Sequence, residues 1–164
     1  MKDWRGFTLV ELLVVVGVIA LLATISLVSY AVVQRGANDK TREGNVTTIA
    51  AALEKYYENN REYPSVASIV NNTAGNTGAV VAAKLGISES TLVMPTMSGT
   101  NALSSTAASQ ANDFITYTAY RASDNTACHD TVTSGCDEFL LQYVEESSGD
   151  TIPIYSRHRV PLGI

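Results

Sequence analysis

Histidine and cysteine, which supply many metal ligands and nucleophile–base pairs, occur only twice each in these 164 residues. His129 and His158 stand far apart, and no Ser or Cys has a recognisable nucleophile context around it. Neither a phosphate-binding glycine loop nor a paired metal-ligand motif occurs. An enzyme is therefore not expected, nor a cofactor or resident metal. Charge is sparse too: 16% of residues carry it, with a net of −5 at pH 7. A surface of that sign does not suit general binding to nucleic acid or to an anionic membrane.

Over one stretch charge is missing altogether. From Leu12 to Gln34 there are 23 residues without a formal charge. As a helix rising ~1.5 Å per residue they reach roughly 34 Å, enough for the ~30 Å hydrocarbon core of a bilayer. The sequence thus predicts one membrane-spanning helix. Lys2 and Arg5 precede it and the charges beyond it are mixed, so the positive-inside bias puts the N-terminus in the cytoplasm and the rest outside. The remaining length has room for one globular domain of ordinary size.

Glu11 interrupts this picture at the head of the apolar run. A carboxylate deep in lipid costs on the order of 3 kcal/mol, less near the interface, and it asks for a cationic partner. Cutting between Gly6 and Phe7 would supply one, an α-amine four residues before Glu11. An ordinary secretory signal cut after Ser29-Tyr30-Ala31 is the rival reading. Glu11 and the helix-forming sequence that continues past Arg35 argue against it.

The short basic leader ending in Gly6, then Phe7-Thr8-Leu9-Val10-Glu11 and a long apolar segment, resembles the class III signal of type IV pilins and pseudopilins. The resemblance implies that a prepilin peptidase cleaves after Gly6 and N-methylates Phe7. It implies that Glu11 pairs with a neighbouring subunit's Phe7 amine, and that the helix becomes the core of a helical homo-oligomeric filament built by a membrane assembly platform. The expected location is a single-pass cytoplasmic membrane protein, N-terminus in, that later forms a surface filament. Many bacterial members have a proline near the position of Val28 and a glycine near that of Ala20. This chain has Gly17, Gly36 and Gly44 instead, and Thr24-Ile25-Ser26 as its one soft spot.

Beyond the membrane, Val46, Ile49, Ala50, Leu53, Tyr56 and Tyr57 form one apolar stripe at helical spacing, with Lys40, Arg42, Glu43, Glu54, Lys55 and Glu58 mostly off it. Asn59-Asn60 and Tyr63-Pro64 end the helix. Residues 65–112, rich in Ser, Thr, Ala, Asn and Gly, read as a surface connection rather than a second core. Short helices are predicted at Ser65–Val70 and Gly78–Leu85, and Asn45-Val46-Thr47 and Asn71-Asn72-Thr73 match the glycosylation sequon. Strands are predicted at Phe114–Tyr120, Glu138–Val144 and Ile152–Val160, the first two antiparallel neighbours. Pro153 places the third at an edge or at its own start.

Cys128 and Cys136 fall in the connection between the first two strands, on the side predicted to lie outside the cytoplasm, where a disulfide is expected. Closing that nine-residue loop is worth about 2.5 kcal/mol. Asp124, Asn125, Asp130 and Asp137 read either as a calcium loop or as turn-forming residues. Arg157-His158-Arg159 reads either as a patch for DNA phosphates or as a charged strand edge that blocks aggregation.

The expected architecture is α+β: a long N-terminal helix, transmembrane then amphipathic, packed on a small antiparallel sheet in a type IV pilin-like arrangement. Its divisions are a leader (1–6), a membrane or filament-core half-helix (7–34) and an extracytoplasmic head (35–164). The head comprises the second half-helix (35–62), a variable loop (63–112) and a sheet with the disulfide loop (113–164). The resemblance implies a pilus subunit serving adhesion, twitching motility or DNA uptake. The alternatives are a pseudopilin of a type II secretion system and a DNA-binding minor pilin.

Overall fold

The structure is a computed structural model. It describes residues 7–71, 75–109, 113–121, 123, 126–128 and 135–158, with the backbone alone at 26–29. Helix α1 runs unbroken over Leu9–Asn60, straight through Thr24-Ile25-Ser26, where the Thr24 hydroxyl donates to the Leu21 carbonyl at 2.7 Å. The soft spot is therefore helical in the separate chain. α1 stops where Arg61 turns left-handed at φ 61°, its N–H donating to the Tyr57 carbonyl at 2.7 Å.

Contacts divide the chain into two units, one ending at Ala37 and the other starting at Asn38. In the first, α1 leaves its apolar side chains uncovered: Leu12, Val16, Ile19, Leu22 and Val33 are all exposed. The second unit adds helix α2 (Gly78–Leu85) and strands β1 (Leu103–Ser104), β2 (Ile115–Tyr120), β3 (Glu138–Val144) and β4 (Thr151–Tyr155), in spatial order β1-β2-β3-β4. β2 and β3 are antiparallel, with Tyr117 opposite Leu141 and Ala119 opposite Phe139. Alternate residues of both strands are buried, as period-two side-chain placement requires. β4 pairs antiparallel with β3 at the sheet edge, and Pro153 is tolerated there. The turn into β4 needs Gly149, whose φ is 80°.

Val46, Ile49 and Leu53 of α1 share one buried cluster with Ile115, Tyr117, Phe139 and Leu141 of the sheet. The expected union of stripe and sheet is thus present. Burial raises the Tyr117 pKa, and its hydroxyl donates to the Pro64 carbonyl at 2.6 Å.

Four expectations need correction. The sheet is mixed rather than antiparallel throughout, because β1 pairs parallel to β2 through Leu103 opposite Ile115. The connecting region is not a surface loop: Val66, Ile69, Val81, Leu92 and Met94 are buried and belong to the same core. Its polar residues fill turns between widely spaced apolar anchors. The helix expected at Ser65–Val70 is a single 3-10 turn, Val66–Ser68. Arg42, placed mostly off the apolar stripe, is buried.

The third strand stops at Tyr155, while Arg159 and Val160 lie outside the described residues. So do Gly6, Asn72, Thr73, Asn112, Asp124, Asn125, His129 and Asp130.

Candidate functional site at the start of the first helix

α1 begins with a reciprocal cap. Thr8 precedes the first helical residue, Leu9, and Glu11 is the third. The Thr8 N–H and hydroxyl both donate to Glu11 Oε2, at 2.8 and 2.7 Å, and the Glu11 N–H donates back to Thr8 Oγ1 at 3.3 Å. This satisfies amides that a helix start leaves unpaired and sets a carboxylate against the positive end of the helix dipole. The Thr-x-x-Glu spacing before an apolar run is the sequence signal of this cap. Phe7 is 82% exposed, and Leu9 and Val10 are also exposed. α1 is long and apolar enough to cross a membrane, and nothing in the described residues buries that window.

Chemically, this end of α1 presents one carboxylate, held by its own chain's Thr8, on an uncovered apolar rod. It suits burial against lipid or against other helices. Gly6, the expected cleavage position, lies outside the described residues.

The other residues singled out in the sequence lie in the second unit. Cys128 and Cys136 form a disulfide with their Cα atoms 6.2 Å apart. Both are buried, and their carbonyls receive the N–H groups of Val66 (2.9 Å) and Tyr63 (2.7 Å). The bridge therefore pins the segment that follows α1. His158 stacks on Tyr57 with ring centroids 4.6 Å apart, and the Arg157 N–H donates to Glu54 Oε1 at 2.9 Å. This part of the basic patch is tied to the C-terminal end of α1.

One polar cluster escaped the sequence reading. The Arg42 guanidinium meets Asp113 (2.5 Å), Asp39 (3.0 Å) and Glu146 (3.3 Å). Asp113 also accepts the Thr96 N–H and hydroxyl at 2.9 and 2.8 Å, and Asp39 accepts the N–H groups of Glu146 and Ser147 at 2.7 and 3.0 Å. Burial opposes ionisation of Asp39, but bonds from the Ser147 hydroxyl and the Glu146 and Ser147 amides, with Arg42 beside it, hold its pKa below the usual value. Burial likewise works against the Arg42 charge, and Asp113 and Glu146 outweigh it. Only Asp39 and Arg42, three residues apart, carried a local signal.

Nothing among curated proteins or solved structures matches the chain. One family model does, the prokaryotic N-terminal methylation motif, over residues 4–27. That stretch contains Trp4-Arg5-Gly6, the Thr8–Glu11 cap and the first turns of the exposed helix. By this motif, the chain carries the class III signal peptide of the type IV pilin family, which comprises pilins and pseudopilins.

Proposed function

We propose that the protein is a structural subunit of a type IV pilus-like filament, cleaved after Gly6, methylated at Phe7 and assembled through α1. The observation that carries this reading is the uncovered apolar length of α1, opened by the methylation motif and by Glu11. Before assembly, the chain sits in the membrane with its N-terminus in the cytoplasm and residues 35–164 outside. There Thr8 gives the Glu11 carboxylate partners within its own chain. On assembly, the neighbouring subunit's Phe7 amine pairs with Glu11 at one axial register. A charge that is costly in an apolar core until a partner aligns is a registry device. Adhesion, twitching motility or DNA uptake would then be properties of the filament.

The test is Glu11→Val in the native cells. Membrane insertion and leader cleavage should persist while incorporation into sheared filaments falls to background. Filament yield equal to wild type would contradict the proposal.

A further inference from the structure

On the second unit, an open groove of about 630 Å3 lies between the start of α2 and the loop before β1. Its size suits a small ligand of a few hundred Å3. None of the described residues lining it is charged. Phosphates and carboxylates, which call for Arg or Lys, and metal ions, which call for carboxylates, are thereby poorly served.

The frame of the groove is fixed by internal bonds. Buried Asn101 donates to the Ile69 and Asn76 carbonyls at 2.9 and 3.1 Å and accepts the Leu103 N–H at 3.1 Å. Asn76 donates to the Ala67 and Val70 carbonyls at 2.9 and 3.0 Å, and Asn71 donates to the Asn101 carbonyl at 3.1 Å. Gly78 admits the Thr100 backbone so closely that a Cβ would overlap its carbonyl.

What remains is a set of polar atoms without a hydrogen-bond partner among the described residues. The Asn71 and Asn76 amides are held through their NH2 groups, and among the described residues neither Oδ1 accepts a hydrogen bond. Thr77 occupies the N-cap of α2 without a side-chain cap bond, while the first α2 amide, Gly78, donates instead to Thr100 Oγ1 at 3.1 Å. Phe114 and Met97 add apolar surface to the same lining.

We propose that this groove binds a neutral saccharide. Sugar hydroxyls donate to carboxamide oxygens and exchange bonds with hydroxyls, while the C–H face of the ring lies on apolar side chains. The acceptors are preorganised, which lowers the ordering cost of binding.

The experiment uses the full chain in micelles of lauryldimethylamine oxide, a sugar-free detergent. It is titrated with methyl glycosides of glucose, galactose, mannose, N-acetylglucosamine and N-acetylgalactosamine, and followed by saturation-transfer and amide-resolved NMR. The expected result is that at least one glycoside receives transfer and shifts the amides of Gly75, Asn76, Thr77, Ser98 and Asn101. Thr77→Trp and Ser98→Trp, at exposed lining positions, should each weaken binding about tenfold or more. Tyr155→Trp, on β4, should not. No binding by any member of the panel, shifts confined to residues outside the groove, or undiminished binding in both lining variants would each overturn the proposal. The wild-type shift map gives the answer even where a variant fails to fold.

Discussion

Arg42 stands among Asp39, Asp113 and Glu146, an excess of negative charge around a buried guanidinium. Removing that one cation while leaving the acids in place is the costly change, and Arg42→Met should destabilise the second unit by about 3–5 kcal/mol. Chemical denaturation followed by near-ultraviolet tyrosine dichroism measures it, and a loss below ~1 kcal/mol, the scale of a surface pair, would contradict the burial argument. The pH dependence follows from Asp39, whose pKa is lower folded than unfolded. Its contribution is present above about pH 4 and is lost as pH falls through the lower folded value. The stability gap between wild type and Asp39→Asn should therefore shrink as pH drops below about 4; a gap of the same size at pH 2 and pH 7 would count against this. Arg61 supplies a prediction of opposite sign. It holds φ 61° at the end of α1, a region where glycine is at ease and a Cβ is not. Arg61→Gly should raise stability by about 0.5–1 kcal/mol, and a drop of that size would show that the side chain has a role that its backbone conformation conceals.

At the scale of elements, the disulfide loop is hydrogen-bonded to a segment far from it in sequence. Cys128 and Cys136 close the β2–β3 connection, yet their carbonyls hold Val66 and Tyr63, just after α1. Replacing both cysteines with serine should cost about 2.5 kcal/mol. Hydrogen exchange should quicken at the Tyr63 and Val66 amides as well as in the loop; unchanged protection at those two would mean that the bridge matters only locally. Elements with strong periodicity were legible beforehand. The apolar stripe of α1 and its breakers placed the helix end at Asn60, and the aromatic and β-branched texture of Glu138–Val144 placed β3 at both ends. β1 was not legible, because two residues show no period and Leu103 is fixed by partners distant in sequence, Ile115 and Asn71. Nor was the burial of residues such as Ile69 and Leu92. Single apolar anchors among Ser, Thr and Asn look like loop until the asparagines are seen satisfying the backbone, as Asn101 and Asn76 do.

For the whole molecule, the division after Ala37 separates two kinds of chemistry. The second unit folds around its own core, whereas the apolar residues of α1 in the first have nothing among the described residues to cover them. Lipid covers them before assembly and neighbouring helices cover them afterwards, on the reading proposed above. The N-terminal motif was legible because its residues are contiguous, while the Thr8 bonds to Glu11 emerge only with the helix start in place. The most direct test of the central claim is an intact mass of the protein from both sheared surface material and membranes of the native cells. The account predicts a sheared species that begins at N-methylated Phe7 and is lighter by the hydrogens lost to the Cys128–Cys136 bridge. The processed species confined to membranes would contradict a filament subunit and point to a pseudopilin, and a chain cut near Ala31 or left uncut would contradict the reading of Gly6 and Phe7 itself.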